Sequence, residues 1–199
     1  IRTTLDGTLE IIEDDFRSAM DDRFTDVASI FAPKTSASVT GVDVSIGSYA
    51  VNTVPGTYSG TINTSPTKGS VTAGADFAAV DTVLSPGDYT FAVTVNGTTT
   101  ETLTLDGNFT TAEELRTELQ SLINNDTNLK ASNDFVDVVI EGDKIKLQSR
   151  VYGSESKVEF SAVGAQFDDN VLFNNPTETT GVDAAGTING EAAFGAGDV

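Results

Sequence analysis

The Asn-Gly dipeptide at Asn96-Gly97, set between two runs of alternating apolar residues, constrains this chain more than any other feature. Tyr89, Phe91, Val93 and Val95 alternate with Thr90, Ala92 and Thr94, the period of a strand with one face buried. Asn and Gly tolerate the positive φ angles of a type I′ turn, and Leu103 and Leu105 resume the alternation, so the spacing predicts a β-hairpin. Thr111 stands three residues before Glu114, the pattern of a capping box at a helix start. Leu115, Leu119, Leu122 and Ile123 then fall at i, i+4, i+7 and i+8, which predicts an amphipathic helix over 111–124 packed on a sheet. Asn124-Asn125-Asp126 is expected to stop it. Phe135, Val136, Val138 and Ile140, the turn Glu141-Gly142-Asp143-Lys144, and then Ile145 and Leu147 predict a second hairpin.

The remainder reads as α+β, mainly β, with antiparallel sheets and hairpins. Phe16, Met20, Phe24, Val27 and Phe31 recur at spacings of three or four, which predicts a short helical segment over 14–31 capped by Asp14 or Asp15. Pro33 closes it. Between residues 35 and 110, Thr, Val, Ser and Gly dominate and helix formers are scarce, which favours strands and turns. Short strands are expected at Val42–Val44, Tyr49–Val51, Tyr58–Ile62 and Ser70–Thr72. Gly47-Ser48-Tyr49, Gly56-Thr57-Tyr58 and Gly87-Asp88-Tyr89 share a turn-to-strand chemistry at irregular spacing, so no true repeat is expected. Asn189-Gly190 marks a further hairpin tip.

Charge and composition exclude more than they nominate. Thirty acidic against eleven basic residues leave a net charge of −19, which argues against nucleic acid or an anionic membrane as a partner, since both need a positive footprint. No apolar run approaches the length of a membrane-spanning helix. With no His and no Cys the commonest general base, zinc ligands and disulfides are unavailable. Adjacent carboxylates at Asp14-Asp15, Asp21-Asp22 and Asp168-Asp169 read as caps or solvated loops in preference to a glycosidase pair. Asn124-Asn125-Asp126, Asn133-Asp134 and Asp106-Gly107-Asn108 are oxygen-rich but lack the calcium-loop pattern with its closing Glu. Gly195-Ala196-Gly197 neither follows a β-α unit nor opens a helix, so it is no nucleotide fingerprint. Tyr49, Tyr58, Tyr89 and Tyr152 are expected to cover sheet edges in preference to forming one binding surface. No catalytic residue, cofactor or metal ligand is nominated.

The stretch from Tyr89 to Val163 resembles the hook IN motif, named for the Ile-Asn pair seen here at Ile123-Asn124. That motif occurs in flagellar filament-capping proteins, hook-associated proteins and some flagellins. It covers roughly 75 of the 199 residues. Val182-Asp183-Ala184-Ala185-Gly186-Thr187-Ile188-Asn189-Gly190-Glu191-Ala192-Ala193, followed by Phe194-Gly195-Ala196-Gly197, is similar to the D-A-G-T-I-N-G-x-A-A-x-G-x-G passage of the filament-capping (hook-associated protein 2) family. Leu5 to Ala32 is similar to that family's D-G-T-L passage, in which a short strand leads into a helix.

The resemblance implies a non-enzymatic assembly protein, extracellular at the distal tip of the flagellum, where the cap promotes flagellin folding and polymerisation. Its partners would be flagellin and other cap subunits. Family members carry long terminal helices that pair as a coiled coil. None is visible here, so the chain is expected to be a fragment, monomeric or weakly associated by itself. Residues 1–32 and 182–199 would be flanking segments that belong to a neighbouring module, with 33–86 a β-rich head segment, 87–163 the IN-motif module and 164–181 a return loop inserted between them. A tip adhesin binding mucin or a host surface, and the variable outer domain of a flagellin, are the alternatives.

Overall fold

A computed structural model describes residues 2–24, 26–27, 35–47, 52–79, 83–84, 89–162, 173 and 175–197. The chain divides into two compact units, Ile1–Gly56 and Thr57–Val199.

In the first unit β1 (Arg2–Thr3) pairs antiparallel with β2 (Leu9–Glu10). The turn between them is tied by Asp6, whose carboxylate accepts from the Thr4 and Thr8 hydroxyls. Helix α1 (Glu13–Asp22) follows. Its N-cap is Ile12, extended and without a side-chain cap bond, so neither Asp14 nor Asp15 caps it as the sequence predicts. Both lie with Glu13 in the first turn, where their charge favours the positive end of the helix dipole. The expected helix over 14–31 breaks early, at Arg23, whose φ of −142° leaves helical space. Asp21-Asp22 set negative charge at the negative end of the dipole with no basic residue in the last turn, an unfavourable place to continue. Helical geometry returns at Phe24 and at 26–27; Phe31 and Pro33 lie outside the described residues. None of the α1 side chains is buried. Residues 42–44 form no strand and stay exposed, because β propensity without a paired neighbour stabilises nothing. Tyr49–Val51 lies outside the described residues.

The second unit opens with β3 (Gly60–Thr64), β4 (Lys68–Thr72), a 3-10 turn at Phe77–Ala79 and β5 (Val83–Leu84). Next come β6 (Thr90–Val95), β7 (Thr98–Thr99), β8 (Leu103–Thr104) and β9 (Gly107–Asn108). Helix α2 (Ala112–Asn124) and the shorter α3 (Thr127–Ser132) lead into β10 (Val136–Glu141), β11 (Lys144–Tyr152) and β12 (Val158–Ala162). The last strands are β13 (Thr177–Thr179), β14 (Ala185–Ile188) and β15 (Glu191–Phe194). They form antiparallel sheets ordered β10-β11-β4-β13, β12-β6-β7 with β8 also on β6, β15-β14-β3, and β5-β9. The chain is α+β and mainly β.

Sequence patterning explains the core. Phe91, Val93 and Val95 of β6 are fully buried, as are Leu119 and Ile123 of α2, Val136 of β10, and Ile145 and Leu147 of β11. Leu115 is nearly so, and Leu122 packs at the margin of the same cluster. Burial of each such side chain contributes about 2 kcal/mol. Phe160 stacks between Phe91 and Phe173, with centroids 5.1 and 4.2 Å away.

The return from the first hairpin is less regular than its alternation predicts. β7 pairs Thr99 with Thr94, whereas β8 pairs Thr104 with Thr90, a slip of one residue. Buried Thr100 absorbs it, its Oγ1 accepting the Val93 N–H at 3.0 Å in place of a main-chain carbonyl.

Candidate functional site

The most organised polar geometry lies where α2 meets the outer edge of β10, an edge strand whose backbone groups need partners. Asn124 Oδ1 accepts the Val136 N–H at 3.0 Å, and its Nδ2 donates to the Val136 carbonyl at 2.8 Å. One turn back, Gln120 Oε1 accepts the Val138 N–H at 3.1 Å. Another turn back, Arg116 reaches the Val138 carbonyl at 3.4 Å. Arg116, Gln120 and Asn124 form a polar stripe at i, i+4 and i+8 beside the buried stripe of Leu115, Leu119 and Ile123. The Ile-Asn pair thus has two jobs: Ile123 fills the core, and Asn124 closes the sheet edge. In sequence Asn124 reads as a helix stop and as the Asn of the Ile-Asn pair; the four-residue period of Arg116, Gln120 and Asn124 is the signal for its bond to the sheet edge.

The helix start follows from the same segment. Thr111 is the N-cap, its hydroxyl accepting the Glu114 N–H at 3.2 Å while Glu114 accepts the Thr110 and Thr111 N–H groups. These bonds, the Thr110 hydroxyl foremost, hold the Glu114 carboxyl below the usual range. Past Asn125, Asp126 caps α3, accepting from the N–H groups of Asn128 and Leu129, and also takes the Glu101 N–H.

The two Asn-Gly turns share one device. Asn96 and Gly97 sit at φ 51° and 93°, Asn189 and Gly190 at 52° and 87°, both as a type I′ turn requires. Each Asn also grips the residue just before the neighbouring strand. Asn96 N–H donates to the Lys157 carbonyl at 3.0 Å, and Asn96 Oδ1 accepts the Lys157 N–H at 3.1 Å. Asn189 N–H donates to the Ser59 carbonyl and its Oδ1 accepts the Ser59 N–H, both at 2.8 Å. Asn96 is held further, by the Ser149 hydroxyl at 3.1 Å and by Asp134 at 3.0 Å. Burial pushes the Asp134 carboxyl upward, but the hydrogen bonds from Asn96, Ser132 and Thr98 outweigh it and leave the group below its ordinary value.

A third cluster joins strands distant in sequence. Fully buried Ser156 donates to the Val151 carbonyl at 2.7 Å and accepts the Gly69 N–H at 2.8 Å. A Cβ at Gly69 would stand 2.2 Å from the Ser156 carbonyl oxygen, so only glycine fits. Nearby, Asp183 accepts from the Ser154 hydroxyl and from the N–H groups of Ser154 and Gly197. Those bonds, led by the hydroxyl, hold its carboxyl low.

The remaining nominated groups do not converge. Asp14-Asp15 and Asp21-Asp22 are exposed along α1, and Asp168-Asp169 lies outside the described residues. Asn133 occupies a left-handed C-cap at φ 60°. Tyr89 belongs to the core, Tyr152 carries the Lys68 ammonium 4.9 Å over its ring, and Tyr49 lies outside the described residues. Among the described residues no three His, Cys, Asp or Glu side chains are grouped to hold a metal ion, and no helix is long and apolar enough to cross a membrane. Asp6, Glu113, Glu114, Asp134 and Asp183 are all shifted downward, away from the neutral range where a general acid or base works. What this geometry does well is hold strands in register.

Neither a protein-family model nor a curated protein matches the sequence. Solved structures do. The D2-D3 domains of the flagellar cap protein FliD from Escherichia coli superpose with a TM-score of 0.50 at 15% identity, covering 74% of this chain and 77% of that one. The FliD D2-D3 domains from Serratia marcescens give 0.49 at 18% identity over 72% and 79% of the two chains. FliD from Pseudomonas aeruginosa PAO1 gives 0.47 at 15% over 72% and 67%. At these identities the E. coli likeness establishes a shared fold.

Proposed function

We propose that this chain is a structural part of a flagellar filament cap, exposed outside the cell at the distal end of the filament. The observation that carries the reading is the fold shared with the E. coli cap protein's D2-D3 domains, in a chain whose Tyr89–Val163 segment independently resembles the IN motif. The internal geometry supports it: Asn96, Asn189 and Ser156 spend their polar groups fixing one strand against another, and Asn124 fixes α2 against β10. In this reading residues 87–163 form an outward module, and the work is mechanical. A stiff head closes the end of the export channel while flagellin folds and joins the filament beneath it. The net charge of −19 keeps neighbouring heads and exported subunits from sticking nonspecifically.

Deleting the gene in its own bacterium tests the proposal. Short or absent filaments, with unpolymerised flagellin shed into the medium and recovery on re-expression, are expected. Filaments of normal length, with no flagellin released, would overturn it.

A further inference from the structure

We propose that Asn189-Gly190 is a site of spontaneous deamidation, and that the chemically identical Asn96-Gly97 is protected by its hydrogen bonds. The reaction needs only water. The Gly190 backbone nitrogen attacks Asn189 Cγ and gives up its proton, the Cγ–Nδ2 bond breaks, and ammonia leaves a five-membered succinimide. Water then opens either carbonyl, giving aspartate or isoaspartate with one additional negative charge.

Glycine at the second position favours this step, because no side chain crowds the attacking nitrogen; a Cβ at Gly97 or Gly190 would meet nothing within 4 Å. The dipeptide and the turn conformation are the same at both sites, so the difference lies in what must be broken to swing Cγ towards the glycine nitrogen. At Asn96 three side-chain hydrogen bonds oppose that rotation: Nδ2 to Asp134 at 3.0 Å, and Oδ1 from Ser149 Oγ and Lys157 N, each at 3.1 Å. These partners come from three separate parts of the fold, and Asn96 is half-buried. Exposed Asn189 has one such bond, from the N–H of Ser59, which is itself exposed.

The two products differ in consequence. Aspartate keeps an oxygen facing the Ser59 N–H. Isoaspartate routes the main chain through Cγ, adding a methylene to a two-residue turn whose register pairs Ile188 with Glu191 and Gly60. It therefore loosens β14 from both neighbours and leaves the β6–β7 turn untouched.

The test is incubation of the folded chain in mildly alkaline buffer, followed by peptide mapping for the one-dalton gain at each site and by enzymatic isoaspartate detection. Conversion at Asn189 is expected to run about tenfold or more ahead of Asn96, as two additional hydrogen bonds imply. The Asp134→Ala and Ser149→Ala variants, each checked for an intact thermal transition, should accelerate Asn96 and leave Asn189 unchanged. Equal rates at the two sites in the wild-type chain, or Asn96 ahead, would overturn the proposal.

Discussion

Asn124 holds Val136 as a neighbouring strand would, its side-chain amide giving one hydrogen bond at 2.8 Å and taking one at 3.0 Å from the same residue's main chain. A helix side chain thereby supplies at Val136 what an edge strand lacks.

Replacing Asn124 with alanine removes both bonds and leaves two partly buried backbone groups unpaired. The expected cost is about 2 kcal/mol, read from urea denaturation. Hydrogen exchange should quicken at the Val136 amide. A cost near zero, with unchanged exchange there, would show that the edge does not depend on Asn124.

Leu119 has no exposed surface and lies at the middle of the apolar stripe. Leu119→Ala should cost about 3 kcal/mol. Thr111→Ala, which removes the cap bond and buries nothing new, should cost only about 1 kcal/mol. Equilibrium unfolding of the two variants should rank them in that order.

Ser156 is fully buried, with both a donor and an acceptor engaged. Ser156→Ala strands the Gly69 N–H and the Val151 carbonyl and should lower stability by about 2 kcal/mol. The protease susceptibility of the β11–β12 connection should rise with it.

Stability should vary little between about pH 5 and 8, because the chain has no His or Cys to titrate there. Below about pH 4 it should fall. Asp134, Glu114 and Asp183 have folded pKa values below their unfolded ones, so their contribution is complete above the unfolded pKa and is lost as pH drops through the folded one. Relief of acidic self-repulsion opposes this loss and should delay its onset. Thermal midpoints across the range check the sign; a step near neutral pH would contradict it.

What the sequence disclosed was local. The Asn96-Gly97 and Asn189-Gly190 turns, the Thr111–Glu114 capping box and the Leu115–Ile123 stripe depend on residues a few positions apart, and each formed as its spacing predicts. What stayed hidden depends on distance. The bond from Gly69 to Ser156 spans 87 positions, and no pattern in either segment announces it. The sequence does not announce α3, because Asn124-Asn125-Asp126 reads as a stop, although Asp126 follows the end of one helix and caps the next. In α1 the apolar spacing suggested continuity, and acidic residues at the wrong end of the helix decided otherwise.

The most direct measurement of the central claim is immunogold labelling of native filaments with antibody raised to this chain. The account predicts gold confined to the distal tip of each filament. Label distributed along the filament length, as a flagellin outer domain would give, or absent from filaments altogether, would contradict it.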